Sequence, residues 1–374
     1  MRNAILDTSK DGMLDVIRGF LKGLLERGLV NAILVPVELP SGNNVVQTLV
    51  SNPMKLDSAN PLAPVLPVNS ARIVSSITRT GSSRRKIAVV LRPCELRAVI
   101  ELAKLKQVTL DNLLIIGIDC FGTYSINDYS NLAEEGKSPT EMALGKVKDE
   151  KEDELLREAC QVCEYFYPMN ADIVIGFIGM DTDNAVLLQA ETEQGEQVLD
   201  AVELQESSDG EKRQKAIKKL VVERTARKEE LYGQTREDVT GEEKLMAIFA
   251  KCVNCHNCRD ACPICYCREC LFDSPTFEFG ADKYLDWAER KDALRMPTDT
   301  LLFHLTRLNH MSSSCVGCGL CQEACPNDVP VFSIFRMVGD RVQEAFDYVP
   351  GRNLEEEMPL STFREDELQE VGYE

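Results

Sequence analysis

The sequence lacks any apolar run that approaches the ~20 residues needed to span a bilayer. It also lacks basic character, because 42 Lys and Arg stand against 61 Asp and Glu in 374 residues and give a net charge of −19. Nucleic-acid binding requires basic patches that contact phosphate, so this charge balance argues against a nucleic-acid partner. The N-terminal residues carry no secretory signal pattern. We therefore expect a cytoplasmic protein without a membrane span.

The usual signatures of substrate chemistry are absent as well. No G-x-G-x-x-G fingerprint is present, so the sequence does not support a Rossmann site for NAD. It also carries no molybdopterin-binding or nickel-binding pattern and no defensible Ser/His/Asp or paired-carboxylate constellation. We expect a chain with no substrate-oxidising site of its own.

Cysteine, in contrast, is abundant, with 15 residues in the chain. Disulfides are rare in the reducing cytoplasm, so metal binding is the default explanation for so many cysteines. Eleven of them lie between Cys252 and Cys325. The other four are Cys94, Cys120, Cys160 and Cys163.

Two copies of the motif C-x2-C-x2-C-x3-C-P occupy residues 252–263 and 315–326. The spacing is typical of two-cluster ferredoxins, in which three cysteines of one motif bind one 4Fe-4S cluster and the fourth binds the other. The predicted ligand sets are Cys252, Cys255, Cys258 and Cys325 for one cluster, and Cys315, Cys318, Cys321 and Cys262 for the other. Zinc is the alternative, but two complete copies ending in Cys-Pro differ from the paired C-x2-C of zinc sites.

A helical pattern separates the two motifs and includes residues 283–290 and 300–308. The separation is longer than in a compact bacterial ferredoxin. It resembles the α-helical ferredoxin domain of fumarate reductase-like and heterodisulfide reductase-like subunits.

Three further cysteines, Cys265, Cys267 and Cys270, follow the first motif directly. They are one ligand short of a fourth cluster, and a histidine or a partner chain would have to supply the missing one. The candidate histidines are His256, His304 and His310. The alternative is that the three cysteines pack as small hydrophobic side chains beside the cluster sites.

The first 130 residues alternate strand and helix patterns, and two further strand-like segments follow, which predicts an α/β layer with some parallel pairing. The predicted helices cover residues 13–27, 71–79 and 95–105, and the predicted strands cover residues 32–35, 86–91, 113–118, 171–176 and 185–189. Cys94 and Cys120 each follow an apolar strand, so we expect both at the carboxyl edge of the sheet, where α/β folds bind ligands. With Cys160 and Cys163 they would supply four thiolates, enough for a third cluster or a zinc ion.

Several short motifs resemble a known family. They are Arg92-Pro93-Cys94, Gly117-Ile118-Asp119-Cys120, Cys160-x2-Cys163 and Ala171-Asp172-Ile173. In this order they look like the beta subunit of the coenzyme F420-reducing hydrogenases and dehydrogenases. The two cysteine motifs and the tail FDYVPGRNLEEEMPL extend the resemblance to the whole chain, and to formate dehydrogenase beta subunits that join a flavin domain to a ferredoxin domain.

The resemblance implies one 4Fe-4S cluster on the four cysteines of the first half, with FAD beside it. It also implies flavin contacts from Lys10, Asp11 and Gly12 and from the loop that carries Asn60 and Asn69. Plain N-capping of the first helix is the alternative role for the first three residues. The loop lacks the Gly-Thr-Lys-Tyr-like run expected in deazaflavin-reducing members, so the electron acceptor stays open.

We therefore expect an α/β flavin and iron–sulfur domain followed by a mainly α-helical, ferredoxin-like domain with two 4Fe-4S clusters. The predicted segments are 1–200 for the first domain, 201–243 for a charged helical linker, 244–342 for the ferredoxin-type domain and 343–374 for a C-terminal tail.

The expected function is that of an electron-transfer beta subunit in a multi-subunit oxidoreductase. The resemblance implies a catalytic alpha subunit as donor, preferably a molybdenum or tungsten formate dehydrogenase and otherwise of hydrogenase type. A flavin, a soluble acceptor or a heterodisulfide reductase-like subunit would receive the electrons. One alternative is an adaptor without flavin that wires a dehydrogenase or hydrogenase to a heterodisulfide reductase-like or bifurcating complex. Another is a zinc-bearing structural module.

Overall fold

The computed structural model describes residues 2–148, 153–202, 204–206 and 210–361. A β-sheet with flanking helices forms the N-terminal half, and helices and loops form the C-terminal half. No helix in these ranges is long and apolar enough to cross a membrane. The end of the predicted tail, residues 362–374, lies outside the described part.

The sheet of the described residues has eight strands: β1 (Asn3–Asp7), β2 (Ala32–Glu38), β3 (Val45–Val50), β4 (Ile87–Leu91), β5 (Leu113–Ile118), β6 (Ile173–Gly176), β7 (Ala185–Ala190) and β8 (Gln205–Glu206). Their order is β3-β2-β4-β5-β6-β7-β1-β8. β2, β4, β5 and β6 pair in parallel, and β3, β7 and β8 are antiparallel to their neighbours. Because β7 is antiparallel to both β6 and β1, β1 points the same way as the parallel strands. Five strands therefore share one carboxyl edge.

The central strands β4, β5 and β6 are buried along their whole length. Near-continuous apolar runs are what parallel strands covered on both faces require, which is why the sequence predicts these strands correctly. The predicted end of β2 at Pro36 is wrong, since the strand continues to Glu38. Beyond Leu34, β2 pairs only with β3, so the N–H that Pro36 lacks is not needed by a second neighbour.

The α-helices are α1 (Gly12–Glu26), α2 (Ser70–Thr78), α3 (Pro93–Lys104), α4 (Ile126–Glu134), α5 (Pro139–Lys148), α6 (Glu158–Gln161), α7 (Glu193–Val202), α8 (Gly210–Val239), α9 (Glu242–Ile248), α10 (Asn257–Asp260), α11 (Ala281–Lys291), α12 (Thr300–Met311), α13 (Leu320–Glu323) and α14 (Val331–Ala345). Short 3₁₀ helices cover Pro53–Ser58, Phe249–Lys251, Leu271–Asp273 and Pro275–Phe277. α1 packs on one face of the sheet, and α2 and α3 pack on the other.

The C-terminal half closes over the face of the sheet that carries α2 and α3. Ile264, Met311 and Val316 belong to the same buried core as Val74 and Val99 of those two helices. This shared apolar core joins the two halves of the chain through buried contacts.

α8, in the charged stretch that the sequence suggests as a linker, packs against both halves. Arg213 forms a buried ion pair with Asp119, which follows β5. Arg224 donates to two backbone carbonyls of the N-terminal half. Lys228 lies 3.3 Å from the carboxylate of Asp340 on α14. The helix therefore ties the sheet to the C-terminal helices.

The turn that follows α14 docks onto α3. The buried carboxylate of Glu101 accepts hydrogen bonds from the Tyr348 hydroxyl at 2.6 Å and from the Gly351 N–H at 2.8 Å. Arg97 donates to the carbonyl of Pro350 at 2.7 Å. Gly351 has φ +77°, and a Cβ there would lie 2.5 Å from the Cα of Arg97, so glycine is required at this contact.

Candidate iron–sulfur sites

The first cysteine group is Cys252, Cys255, Cys258 and Cys325, and all four line one cavity. The first three come from a tight loop that starts at the 3₁₀ helix Phe249–Lys251 and runs into α10. Asn254 and His256 in this loop adopt positive φ angles of 56° and 61°, so that the chain can wrap around the cavity. Cys325 arrives from the second motif, just beyond α13. The spacing predicts this set of four, and the structure brings it together.

Hydrogen-bond donors surround the sulfurs of the first group. Arg307 Nη1 donates to Cys258 Sγ at 3.1 Å, and His304 Nε2 lies 3.3 Å from Cys252 Sγ. Burial, then Arg307 and His256, lower the pKa of His304 to about 4, so its imidazole is neutral at pH 7 and has one N–H to donate. Donors aimed at sulfur stabilise the thiolate over the thiol, and they also tune iron–sulfur potentials.

The second cysteine group is Cys315, Cys318, Cys321 and Cys262. Burial raises the pKa of the first three thiols, in the case of Cys318 to about 12, and the nearby Cys262 adds to each increase. Cys262 and Cys318 also pack against the same apolar core, so the fourth cysteine of the first motif lies near the second motif. Thiols buried in this way need a neighbouring cation to ionise, and a bound metal provides one.

The third cysteine group is Cys94, Cys120, Cys160 and Cys163, which line another single cavity. Cys94 lies in the first turn of α3 directly after β4, and Cys120 follows β5. Both therefore lie at the carboxyl edge of the sheet, as predicted from the apolar strands. Cys160 belongs to α6, and Cys163 follows it.

In the third group, the sulfur of Cys160 is surrounded by hydrogen-bond donors. The N–H of Thr123 donates to its Sγ at 3.3 Å, and Arg157 Nη2 lies 3.8 Å away. Although burial alone would raise it, the Arg157 charge and the Thr123 hydrogen bonds lower the pKa of Cys160. Burial raises the pKa of Cys120 to about 11. Cys160 is thus the thiol of this group whose ionisation its protein surroundings favour.

The three cysteine groups adjoin one another in series. Cys258 of the first group and Cys321 of the second pack against the same small apolar core. Cys318 of the second group lines the cavity of the third. Cys255 at one end is exposed, and the third group at the other end lies under the edge of the sheet. The second group is therefore the middle one.

The structure does not bring Cys265, Cys267 and Cys270 together as a fourth set. Cys265 lies beside Cys262, Cys267 is exposed, and Cys270 packs against the apolar core around Cys258. The Cys265 thiol donates to Cys262, which lowers the pKa of Cys262 and raises that of Cys265. Cys262 is therefore the better thiolate of the pair.

The three candidate histidines do not complete such a set either. His304 contacts Cys252, and His256 Nδ1 contacts Asp273 at 2.8 Å. Both line the cavity of the first group, and His310 is exposed. Among the residues that the structure describes, no three His, Cys, Asp or Glu side chains converge on a point suited to a single metal ion. The thiols of the first and third groups line cavities instead.

The two asparagines predicted to contact flavin have roles within the fold. Asn69 is fully buried and caps α2, accepting from the Ala71 N–H at 3.0 Å. Asn60 is also buried and donates to Glu38 at 2.6 Å and to Thr140 at 2.9 Å. One side-chain atom of each remains buried without a hydrogen-bond partner in the described residues, Oδ1 of Asn60 and Nδ2 of Asn69.

Lys10, Asp11 and Gly12 lie on the surface where α1 begins. Asp11 is the N-cap residue of α1, but its side chain makes no capping hydrogen bond. Gly12 has φ +77°, and a Cβ at this position would have no atom within 4 Å. No hydrogen bond in the described part of the chain joins these residues to Asn60 or Asn69. Flavin binding at these five residues stays a prediction.

Sequence reasoning missed the arginines at the cysteine groups. Arg307 contacts the first group, and Arg157 and Arg224 line the cavity of the third. Partial signals were available for two of them. Residues three apart share a helix face, so His304 and Arg307 on a predicted helix point to a common polar contact. Arg157 lies three residues before Cys160, whereas Arg224 reaches the third group through long-range packing.

Comparison with known proteins agrees with this architecture. Residues 84–216 match the family model for the C terminus of the coenzyme F420 hydrogenase/dehydrogenase beta subunit, and residues 247–329 match the model for a 4Fe-4S dicluster domain. The chain is 30% identical over 382 residues to F420-dependent formate dehydrogenase 1 subunit beta of Methanococcus maripaludis, covering 93% of this chain and 92% of that protein. It is 27% identical over 389 residues to F420-dependent formate dehydrogenase subunit beta of Methanocaldococcus jannaschii, covering 94% and 97%.

A solved structure, the F420-reducing [NiFe] hydrogenase complex from Methanosarcina barkeri, aligns with a TM-score of 0.46 at 12% identity, covering 65% of this chain and 94% of that chain.

An α/β sheet region joined to a helical 4Fe-4S dicluster domain defines this protein as an electron-transfer subunit of an oxidoreductase. The match to the Methanococcus maripaludis protein covers 93% of this chain at 30% identity, and this establishes the family. The chain belongs to the coenzyme F420 hydrogenase/dehydrogenase beta-subunit family.

Proposed function

We propose that this chain is the beta subunit of a formate dehydrogenase, with three 4Fe-4S clusters arranged in series. One observation carries the proposal: four cysteines line a common cavity in the first group and in the third, and the second group adjoins both. Formate is the preferred donor substrate because the relatives that match almost the whole chain are named formate dehydrogenase beta subunits.

The chemistry of the donor sets fits iron–sulfur clusters. The first and third groups offer four thiols each in one cavity, which is the ligand complement of a 4Fe-4S cluster. The proposed ligands are Cys252, Cys255, Cys258 and Cys325 for the first, Cys315, Cys318, Cys321 and Cys262 for the second, and Cys94, Cys120, Cys160 and Cys163 for the third. When bound, such clusters supply one-electron transfer.

The protein residues around the sites hold the thiols in place and exclude water. Gly319 has φ +72° and lies against Ala159 of α6, so the loop of the second group approaches the third closely. Among the twelve proposed ligands, Cys255 of the first group is the one that is exposed. This end is the proposed docking site of the catalytic alpha subunit, and the third group is the proposed end towards the acceptor.

FAD beside the third group is part of the proposal. The loop over residues 58–69 supports it because Leu66 lines the cavity of the third group. Arg92 fixes this loop by donating to the carbonyls of Val65 and Ala63. The acceptor beyond the flavin is proposed to be a deazaflavin of the F420 type, since both matching relatives carry F420 in their names.

The first test is the content of iron, acid-labile sulfide and flavin per chain after anaerobic purification. About twelve irons are expected, at four per cluster, with one flavin. About eight irons without flavin would leave an adaptor with two clusters, and about sixteen would make ligands of Cys265, Cys267 and Cys270.

The second test is the activity of the complex copurified with its catalytic partner. Formate should reduce the clusters of this chain, and the reduced complex should then pass electrons to the deazaflavin. Reduction by hydrogen and not by formate would contradict the proposed donor. Cluster reduction without deazaflavin reduction would favour the adaptor.

A further inference from the structure

Arg307 lies between the first and second cysteine groups. It extends from α12, is only 4% exposed, and donates to both Sγ and the carbonyl of Cys258 at 3.1 Å. The guanidinium also lies over the rings of Phe303 and Phe335. Cys321 of the second group packs against the apolar cores that contain these two rings. Arg307 therefore lies near a cysteine of each group.

Arg307 has no carboxylate partner in the described part of the chain. Its other close neighbours are the rings of Phe303 and Phe335, whose centroids lie 5.6 and 4.9 Å from its Cζ. Its Nε is buried without a hydrogen-bond partner. A buried cation is costly unless a negative charge compensates it, so the compensation has to come from the cysteine groups.

We propose that Arg307 is the shared counter-charge of the first and second clusters and raises the reduction potentials of both. The inference rests on the proposed function, because it requires clusters at these two groups. Each added electron makes a thiolate-bound cluster more negative, and a fixed cation nearby stabilises that reduced state. The hydrogen bond to Cys258 Sγ adds a second stabilising contact for the first cluster alone.

Two other arginines beside the cysteine groups show why Arg307 is suited to this role. Arg336 is equally buried beside the second group, but it is ion-paired with Asp340, which offsets its charge. Arg157 lies beside Cys160 and lines the cavity of the third group, which Cys318 of the second group also lines. It is the matched control, because its contacts are with the third group and the adjoining part of the second.

The experiment is a potentiometric titration of the full, anaerobically purified chain, followed by electron paramagnetic resonance. Signals are first assigned to each cluster with single Cys→Ser variants. In Arg307→Gln, the potentials of the first and second clusters should fall while that of the third is unchanged. In Arg157→Gln, the reduction potentials of the third and second clusters should fall while that of the first is unchanged.

Arg307→Lys separates charge from hydrogen bonding. Lysine keeps the charge but lacks the planar fork that reaches two atoms of Cys258. The reduction potential of the first cluster should therefore fall by less than in Arg307→Gln. The potential of the second cluster should stay near its value in the unaltered chain. This variant decides the matter if Arg307→Gln does not retain its iron.

Equal shifts of all three clusters in Arg307→Gln, or no shift in either Arg307 variant, would overturn the inference. Iron analysis of the unaltered chain keeps this failure distinct from failure of the proposed function. A chain without the first and second clusters refutes the function itself, whereas a fully loaded chain with insensitive potentials refutes only the role of Arg307.

Discussion

Neighbouring cysteines in this chain differ in role because their surroundings differ. Cys262 and Cys265 are three residues apart and both lie within 4 Å of the Met311 sulfur, at 3.9 and 3.6 Å. The contact between the two thiols lowers the pKa of Cys262 and raises that of Cys265, so the surroundings favour Cys262 as the thiolate of the pair. Spacing alone leads to the same assignment, because it places Cys262 in the motif and Cys265 outside it.

This difference predicts opposite results for two single substitutions. Cys262→Ser should remove the second cluster, because a serine hydroxyl is a poor substitute for a thiolate ligand. Cys265→Ser should retain it, since a hydroxyl can still donate to Cys262. Iron content per chain and the resonance signal of the second cluster measure both outcomes. Loss of the cluster in Cys265→Ser would make that residue a ligand.

At the residue scale, the sequence predicts the cysteines well and their partners poorly. Cys94 and Cys120 are predictable at the sheet edge because each follows an apolar strand, a local pattern. Arg307 reaches the sulfur of Cys258 through packing between segments 49 residues apart in the chain. Local periodicity holds no information about such contacts.

At the scale of elements, the approach between α6 and the loop before α13 depends on one missing side chain. A Cβ at Gly319 would lie 2.3 Å from the Cβ of Ala159, and its φ of +72° is unfavourable for any other residue. The second and third cysteine groups can adjoin only while this position is glycine.

Gly319→Ala should therefore separate the second and third clusters and slow electron transfer between them. Rapid-mixing kinetics of cluster reduction measures the effect, which we expect to reach at least about tenfold, equivalent to about 1.4 kcal/mol of barrier. Adding Ala159→Gly should restore part of the rate by removing the clash. Gly233→Ala on α8 is the control, since no atom lies within 4 Å of a built Cβ there. An unchanged rate in Gly319→Ala would refute the dependence on close approach.

The strands divide into those that the sequence predicts and those that it misses. β4, β5 and β6 are continuous apolar runs and are predicted. β3 is missed because it is half exposed, with Val46 and Leu49 at 49% and 48%, and because it follows a loop rich in Ser, Gly and Asn. β1 is missed because it has only five residues, too few for a clear alternating pattern.

At the scale of the whole molecule, apolar burial is distributed unevenly. The two largest cores enclose the sheet from both faces. The cores of the C-terminal half are small and are built around cysteines, including Cys252, Cys258 and Cys321. The metal sites therefore contribute a larger share of the stability in that half.

Removal of iron should loosen the C-terminal half while leaving the sheet folded. Without clusters, Arg307 would be a buried cation that lacks compensation, and the thiols would lose their shared ligand. Hydrogen exchange of the iron-free chain should show lost protection in α12 and α13 and retained protection in β4 and β5. Equal loss throughout, or none in the helices, would contradict this expectation.

The proposed exchange of the fourth cysteines between motifs also constrains how the protein is made. Cys325 lines the cavity of the first motif, and Cys262 packs against the same apolar core as Cys318 of the second. Neither site has its full set of sulfurs until the second motif has left the ribosome. Iron delivered to the first site earlier would meet only three of its four proposed ligands, so insertion of the first and second clusters has to follow synthesis of the second motif.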